Sequence, residues 1–432
     1  MRPPIRRRSA GALLPLLLLA ACQRTADERV ADGRRTETIT VGDTVVVRNR
    51  GDDPLPRRLV VEQRIGELEG SEAYTFGTVD DVVPASDGGV YVWDGQSHEV
   101  RRYGADGRLV RQIGRRGAGP GEYELVIGMV TTEAGLAAWD PIHQRLSLFD
   151  AADAFVRSWN PPHPDPGMGS LHPDEEGGFW LRHTLVDPQT AGSGGVGYVR
   201  LRADGTPTAD TVPAPPFPHA EFRLVARGPR LQVADRVPFT PSSLPALSPR
   251  GELATGTGER YAILLARPGT PPRRIERDVA AASVAEEERA DAESRTTTMM
   301  RQADPRWSWN GPPIPTTRPF FRALKFGLDG RLWVERSLGG VRIPDDELEP
   351  PRPSPMRMRD APPPPPLPPR RWRDSLAFDV FAPDGRYLGT VPKPRDAEFF
   401  TMRGDTIWGR LRDSLDVAYV ARWRVEPALG RE

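Results

Sequence analysis

From residue 89 onward the chain repeats one short pattern, a glycine followed by a run of apolar or aromatic positions that closes on a polar turn. The clearest copies are Gly89-Val90-Tyr91-Val92-Trp93-Asp94, Gly135-Leu136-Ala137-Ala138-Trp139-Asp140 and Gly178-Phe179-Trp180-Leu181. Later copies are Gly251-Glu252-Leu253-Ala254, Gly330-Arg331-Leu332-Trp333-Val334-Glu335 and Gly404-Asp405-Thr406-Ile407-Trp408. Short apolar runs bounded by glycine predict strands, and a fixed period predicts a repeat architecture of six units.

Each unit continues into a second strand, and several then turn on Asp-Gly, at Asp106-Gly107, Asp204-Gly205 and Asp384-Gly385. That pair is favoured in tight hairpins because both residues tolerate positive φ. A further strand follows, such as Leu109-Val110-Arg111-Gln112-Ile113, so each unit has the four strands of a propeller blade. The first copies lie 46 and 43 residues apart (135 minus 89, 178 minus 135), about one blade. Later spacings of 73, 79 and 74 place insertions at about 217–241, 279–318 and 339–373.

The last unit stops one strand short, while residues 59–66 read like the fourth strand of a blade, matching residues 110–114 ahead of the next repeat. The expected fold is therefore an all-β, six-bladed propeller over 59–427, closed into a ring by its N-terminal strand. Ser283-Val284-Ala285-Glu286 has the form of a capping box, and residues 285–300 lack helix breakers, which predicts one short inserted helix. Residues 350–369, with Pro362–Pro366 unbroken, can form neither helix nor sheet ladder and are expected to be extended or disordered. Ile113-Gly114 with Gly117-Ala118-Gly119-Pro120-Gly121-Glu122-Tyr123, together with the Gly89-Val90-Tyr91-Val92 type of strand, resembles the NHL-type repeats of six-bladed propellers. The resemblance covers roughly residues 59–160 and implies a fold more than an activity.

The N-terminus adds an address. Arg2 and Arg6-Arg7-Arg8 precede the apolar run from Leu13 to Leu19, which is too short to span a bilayer and reads as an export signal over residues 1–21. Leu19-Ala20-Ala21-Cys22 resembles the lipobox of bacterial lipoproteins, which implies lipidation at Cys22, a membrane anchor and a tether from 22 towards 58 that includes an N-terminal strand. Gln23 after the cysteine suits sorting to the outer membrane. Cys22 is the sole cysteine, so no intrachain disulfide exists and packing alone must hold the fold.

Formal net charge is zero, and among 59 basic residues only Lys325 and Lys393 are lysines. No clustered basic excess marks a nucleic-acid binder. The glycines at 114–121 do not form a phosphate loop, because position 122 is Glu and residues 126–130 read as a strand. The tryptophans at 93, 139, 180, 333 and 408 recur with the repeat and are expected to pack between blades. Trp307, Trp309 and Asn310, in the second insertion, are the ligand-face candidates, against a purely packing role that seals the insertion onto the ring. His98 and His143 read as turn histidines.

No catalytic motif is present and no cofactor is indicated. The first expectation is a binding or scaffold module whose insertions meet a protein, peptide or glycan. The alternative is a metal-dependent hydrolase or lyase resembling the gluconolactonase-like and peptide-amidating propellers. For that chemistry Asp80, Asp81, His172 and Asp174 are the candidate metal ligands, supplied by the first strands of the blades.

Overall fold

The computed structural model describes residues 27–31, 34–52, 55–161, 171–186, 193–215, 222–229, 231–242, 245–351 and 366–430. Six sheets hold six blades, each of four antiparallel strands, successive in the chain in the first five. Blade one is Asp81–Pro84, Val90–Asp94, Glu99–Tyr103 and Leu109–Ile113. Blade two is Gly128–Thr132, Gly135–Asp140, Arg145–Asp150 and Phe155–Trp159, and blade three is Leu171–Pro173, Phe179–Val186, Ser193–Leu201 and Pro207–Pro213. Blade four is Ala246–Leu247, Leu253–Thr255, Ala262–Ala266 and Arg273–Arg277. Blade five is Ala323–Phe326, Leu332–Arg342, Trp372–Phe381 and Tyr387–Lys393. Blade six takes Ala397–Arg403, Thr406–Arg412 and Ala418–Glu426 from the C-terminus and Arg58–Ile65 from the N-terminus. The closing strand pairs antiparallel with Ala418–Glu426 from Glu426↔Arg58 to Val420↔Ile65.

The apolar positions of the repeat do one job throughout. Six hydrophobic clusters each straddle two successive blades, and the sixth joins blade six to blade one through Ile65, Tyr103 and Val420. Trp93, Trp139, Trp180 and Trp333 are buried in these seams, and Trp408 is half-buried at the closing one. The aspartate that ends the repeat ties one blade to the next. Asp94 accepts amide N–H bonds from Gly77, Thr78 and Gln96, and Asp140 accepts them from Glu124 and Ile142. Buried carboxylates satisfied by several backbone donors fix the connection between blades.

The Asp-Gly turns form, but with different geometry. Gly107, Gly205 and Gly385 have φ of 79°, 77° and 91°, while their aspartates keep negative φ and accept the N–H of Arg108, Thr206 and Arg386. Each hairpin then carries a bulge, so these are three-residue turns in which glycine alone supplies positive φ. The glycine run is a connection between blades: a Cβ on Gly114 (φ 72°) would lie 2.4 Å from the Tyr123 ring.

The N-terminal segment departs from a simple tether. Strands Asp27–Ala31, Arg34–Val41 and Thr44–Arg50 add to blade four and make a seven-stranded sheet, the last pairing parallel with Arg273–Arg277. The buried Asn49 fixes this addition: its amide donates to the carbonyls of Glu276 and Gly385, and its oxygen accepts from Thr36 and the Tyr387 amide. Cys22 and the leader lie outside the described residues. No helix among the described residues is long and apolar enough to cross a membrane.

Candidate functional site

In a blade the first strand leaves one face of the ring, and the connections between strands two and three, and from strand four to the next blade, return to that same face. All three insertions use these connections. Between blades three and four stands the hairpin Arg223–Arg227 and Gln232–Arg236. Between blades four and five lies the helix Glu286–Arg301, and from blade five the hairpin Leu332–Arg342/Trp372–Phe381 projects beyond the ring. The insertions therefore build one cap on one face of the ring, at blades three to five.

The cap has its own core. Leu224, Ala226, Val233 and Val237 of the hairpin pack on Met300, Ala303 and Trp307 behind the helix. Trp307 is buried and donates its indole N–H to the Val225 carbonyl, which also accepts from Asn310, while Trp309 packs on Trp307 and donates to Pro312. The ligand-face candidates thus serve the cap's own packing. The helix begins at Glu286 without a side-chain cap, because Ser283 is drawn into a bridge with Thr317 and its carbonyl accepts from Arg318. Glu286, Glu287 and Glu288 place negative charge on the first turn, where the helix dipole favours it.

A line of alternating charges runs from the first strand of blade five to the helix of the cap. Lys325 lies 3.6 Å from Glu398, Glu398 2.8 Å from Lys393, and Lys393 3.4 Å from Glu335. Glu335 meets Arg322 at 3.0 Å, Arg322 meets Asp374 at 3.1 Å, and Asp374 meets Arg318 at 2.9 Å. Arg318 ends the line on the buried Glu288 of the helix. Both lysines of the chain stand in this line, the one local signal in the sequence that pointed to it. Its other members come from segments far apart in the chain, and the insertions that bring them together carry no repeat pattern.

Three partly buried first-strand side chains, Asp81, His172 and Lys325, have shifted titration. His172 and Lys325 occupy the same register position in blades three and five, paired with Trp180 and Trp333. Burial pushes His172 down to about 4, with Arg182 adding to the effect. Burial raises Asp81 to about 6, although the amides of Met129 and Val82 donate to its carboxylate. Burial also lowers Lys325, against the attraction of Glu398. For Glu398 burial works upward, but Lys393 and Lys325 outweigh it and hold the carboxyl below its ordinary range.

The four metal candidates do not converge. Asp80 stands at the capped mouth, accepting from Thr78 at 2.7 Å and pairing with Arg410. Asp174 lies at the opposite end of its blade, in the turn between the first two strands, held by Arg200 at 2.7 Å. Among the described residues no three His, Cys, Asp or Glu side chains come close enough to hold a metal ion. His98 and His143 are turn residues, bonded to the Glu124 carbonyl and to Asp140.

A cavity of about 480 Å³ opens between the helix, the inserted hairpin and the projecting strands of blade five. Phe239, Met299, Leu367 and Trp372 supply its apolar walls, and Asp291 and Arg370 are among its charged ones. Phe239 holds a φ of 60°, a conformation that costs a bulky residue energy, with the Arg318 guanidinium 5.0 Å from its ring. Eight of its fifteen lining residues are charged, with both signs present, so the cavity suits a polar ligand that can meet acids and guanidinium groups beside two aromatic faces.

No protein family matches the chain, and no curated protein matches it. Among solved structures, an exported protein of Bacteroides fragilis is similar at 10% identity, covering 88% of this chain and 99% of that one, with a TM-score of 0.45. A Bacteroides vulgatus member of a family of unknown function is similar at 11% identity, covering 86% and 99%, with a TM-score of 0.48. A streptogramin B lyase is similar at 10% identity, covering 86% and 98%, with a TM-score of 0.40.

Proposed function

We propose that the chain is a membrane-anchored extracytoplasmic propeller of NHL type that binds a ligand under its cap. The observation that supports this reading is the gathering of the long insertions on one face of a rigid ring, where they border the open 480 Å³ cavity with blade five. Loops held by a rigid scaffold are where binding sites concentrate. The anchor rests on Cys22 behind its apolar leader, and the charged line under the cap sets the orientation of what enters.

The ligand is read as a peptide or glycan, because aromatic walls beside Asp291 and Arg370 suit a polar chain carrying occasional charges or sugar faces. The test is a titration of the purified mature chain against peptide and glycan libraries, followed by calorimetry of hits. Binding that falls at least tenfold in Trp372→Ala and Asp291→Ala supports the reading. Binding unaffected by both, or turnover of a lactone or ester panel with divalent metal added, overturns it. Incorporation of labelled fatty acid into the chain, lost in Cys22→Ala, tests the anchor.

A further inference from the structure

The strands added to blade four carry a feature that the fold does not need. Arg35 and Arg50 stand directly opposite each other on neighbouring antiparallel strands. Like charges in that position repel. Both are exposed, and neither has a hydrogen-bond or ion-pair partner among the described residues. Arg48, two residues before Arg50 and so on the same sheet face, is neutralised by Glu276 at 3.1 Å and approaches Glu37 at 4.0 Å.

Arg50 also lines a groove of about 320 Å³ with Arg48, Arg260 and Arg277. Glu276 and Asp278 line the same groove, Glu276 taken by Arg48 and Arg274; Arg277 is committed to Asp379 inside the ring, and the exposed Arg260 side chain, like Arg35 and Arg50, makes no ion pair among the described residues. Arg50 and Arg260 line one groove and Arg35 stands opposite Arg50, so three exposed guanidinium groups, a group type that pairs with phosphate, lie along the added edge of blade four.

The position of this face along the chain selects its partner. Five residue steps separate Cys22 from the first added strand at Asp27, a reach of at most about 18 Å even when fully extended. Arg35 pairs with Val30 on that same strand, three residues beyond Asp27. A lipid on Cys22 would therefore let these arginines reach the headgroup layer, where the surface charge acts on basic side chains that come within about 10 Å of it. On that basis, and resting on the anchor proposed above, we propose that the Arg35–Arg50–Arg260 face docks on an anionic phospholipid surface and sets the orientation of the propeller on its membrane.

The test uses the mature chain with Cys22→Ala, made without its leader, so that no acyl chain contributes. It is co-sedimented with vesicles of phosphatidylcholine alone and of phosphatidylcholine with 30% phosphatidylglycerol, in about 50 mM and 500 mM salt. Binding is expected only to the anionic vesicles, released by high salt, and weakened at least tenfold in Arg35→Gln/Arg50→Gln/Arg260→Gln. The melting curve of the triple variant checks that it folds, and Arg260→Ser alone, outside the added strands, should weaken binding severalfold. Equal binding to both vesicle types, or anionic binding unchanged by these substitutions, overturns the proposal. Saturable binding of inorganic phosphate without vesicle binding also overturns it, since the face would then hold a free anion. Failure of fatty-acid labelling in the wild-type chain would strike the anchor and leave the vesicle result readable by itself.

Discussion

Replacing Asp81 by Asn and, separately, His172 by Phe should tilt the pH dependence of stability in opposite directions. Asp81 has its pKa raised by burial from 3.8 to about 6, so folding favours the protonated carboxyl. The stability it contributes is complete below pH ~4 and is lost as pH rises through about 6. His172 is pushed by burial from 6.5 to about 4, so folding favours the neutral ring. Its contribution is complete above pH 6.5 and is lost as pH falls through about 4. One pKa unit corresponds to ~1.4 kcal/mol, so each residue carries on the order of 3 kcal/mol across that window. In the wild-type chain the two slopes nearly cancel between pH 4 and 6.5. Asp81→Asn should therefore gain stability with rising pH, and His172→Phe should lose it, the phenyl ring keeping the edge contact with Tyr198. Urea unfolding followed by tryptophan fluorescence at pH 4.5, 5.5 and 6.5 measures both. Comparing the two variants cancels the slope from every other titrating group. Parallel pH profiles for the two variants would refute the reasoning.

Arg318→Met should cost about 3–5 kcal/mol, because it leaves the buried Glu288 carboxylate without its cation. Adding Glu288→Gln should recover part of that loss; urea unfolding and limited proteolysis within residues 279–318 measure both effects, and equal stability of single and double variants counts against the assignment. Ile65→Ala should cost about 2–4 kcal/mol by opening a cavity in the seam between blades six and one. Deleting residues 58–65 should abolish cooperative melting altogether, so a deletion that still melts cooperatively would show that the ring does not depend on its closing strand. Asn49→Ala should cost about 2–4 kcal/mol by leaving several buried backbone partners unmatched, and hydrogen exchange should then quicken first in Thr44–Arg50.

The ring was legible in the sequence because most blades solve the same problem with the same kinds of residue, a glycine before the second strand and, in five of the six, a tryptophan in it. The glycine before the second strand and the tryptophans in the seams repeat at a period that only a stacked unit explains. The closing strand was legible for the same reason, since residues 59–66 repeat the pattern of a fourth strand. What periodicity does not encode is a partner. The hairpin Arg34–Val41/Thr44–Arg50 has β-branched residues around a Gly-Asp turn, yet nothing local shows that it adds to a strand more than 200 residues away. The charged line under the cap is harder still, because its members are spread over five strands, a loop and a helix, and only the two lysines differ from the surrounding arginines.

The phase of the insertions nevertheless carries more information than their composition. In a four-stranded blade the connections between strands one and two, and between strands three and four, all emerge on one face; here these connections run to two to six residues. The connections that emerge on the other face hold residues 214–245, 278–322 and 343–371. Selection for stability alone would have no reason to sort long segments to one side, since loop length adds entropy cost at the same slow rate on either face. A functional surface supplies that reason, because segments can cooperate only where they meet. The face is therefore identified by strand counting, before any side chain on it is considered, and the cavity between helix, hairpin and blade five lies where that counting puts it.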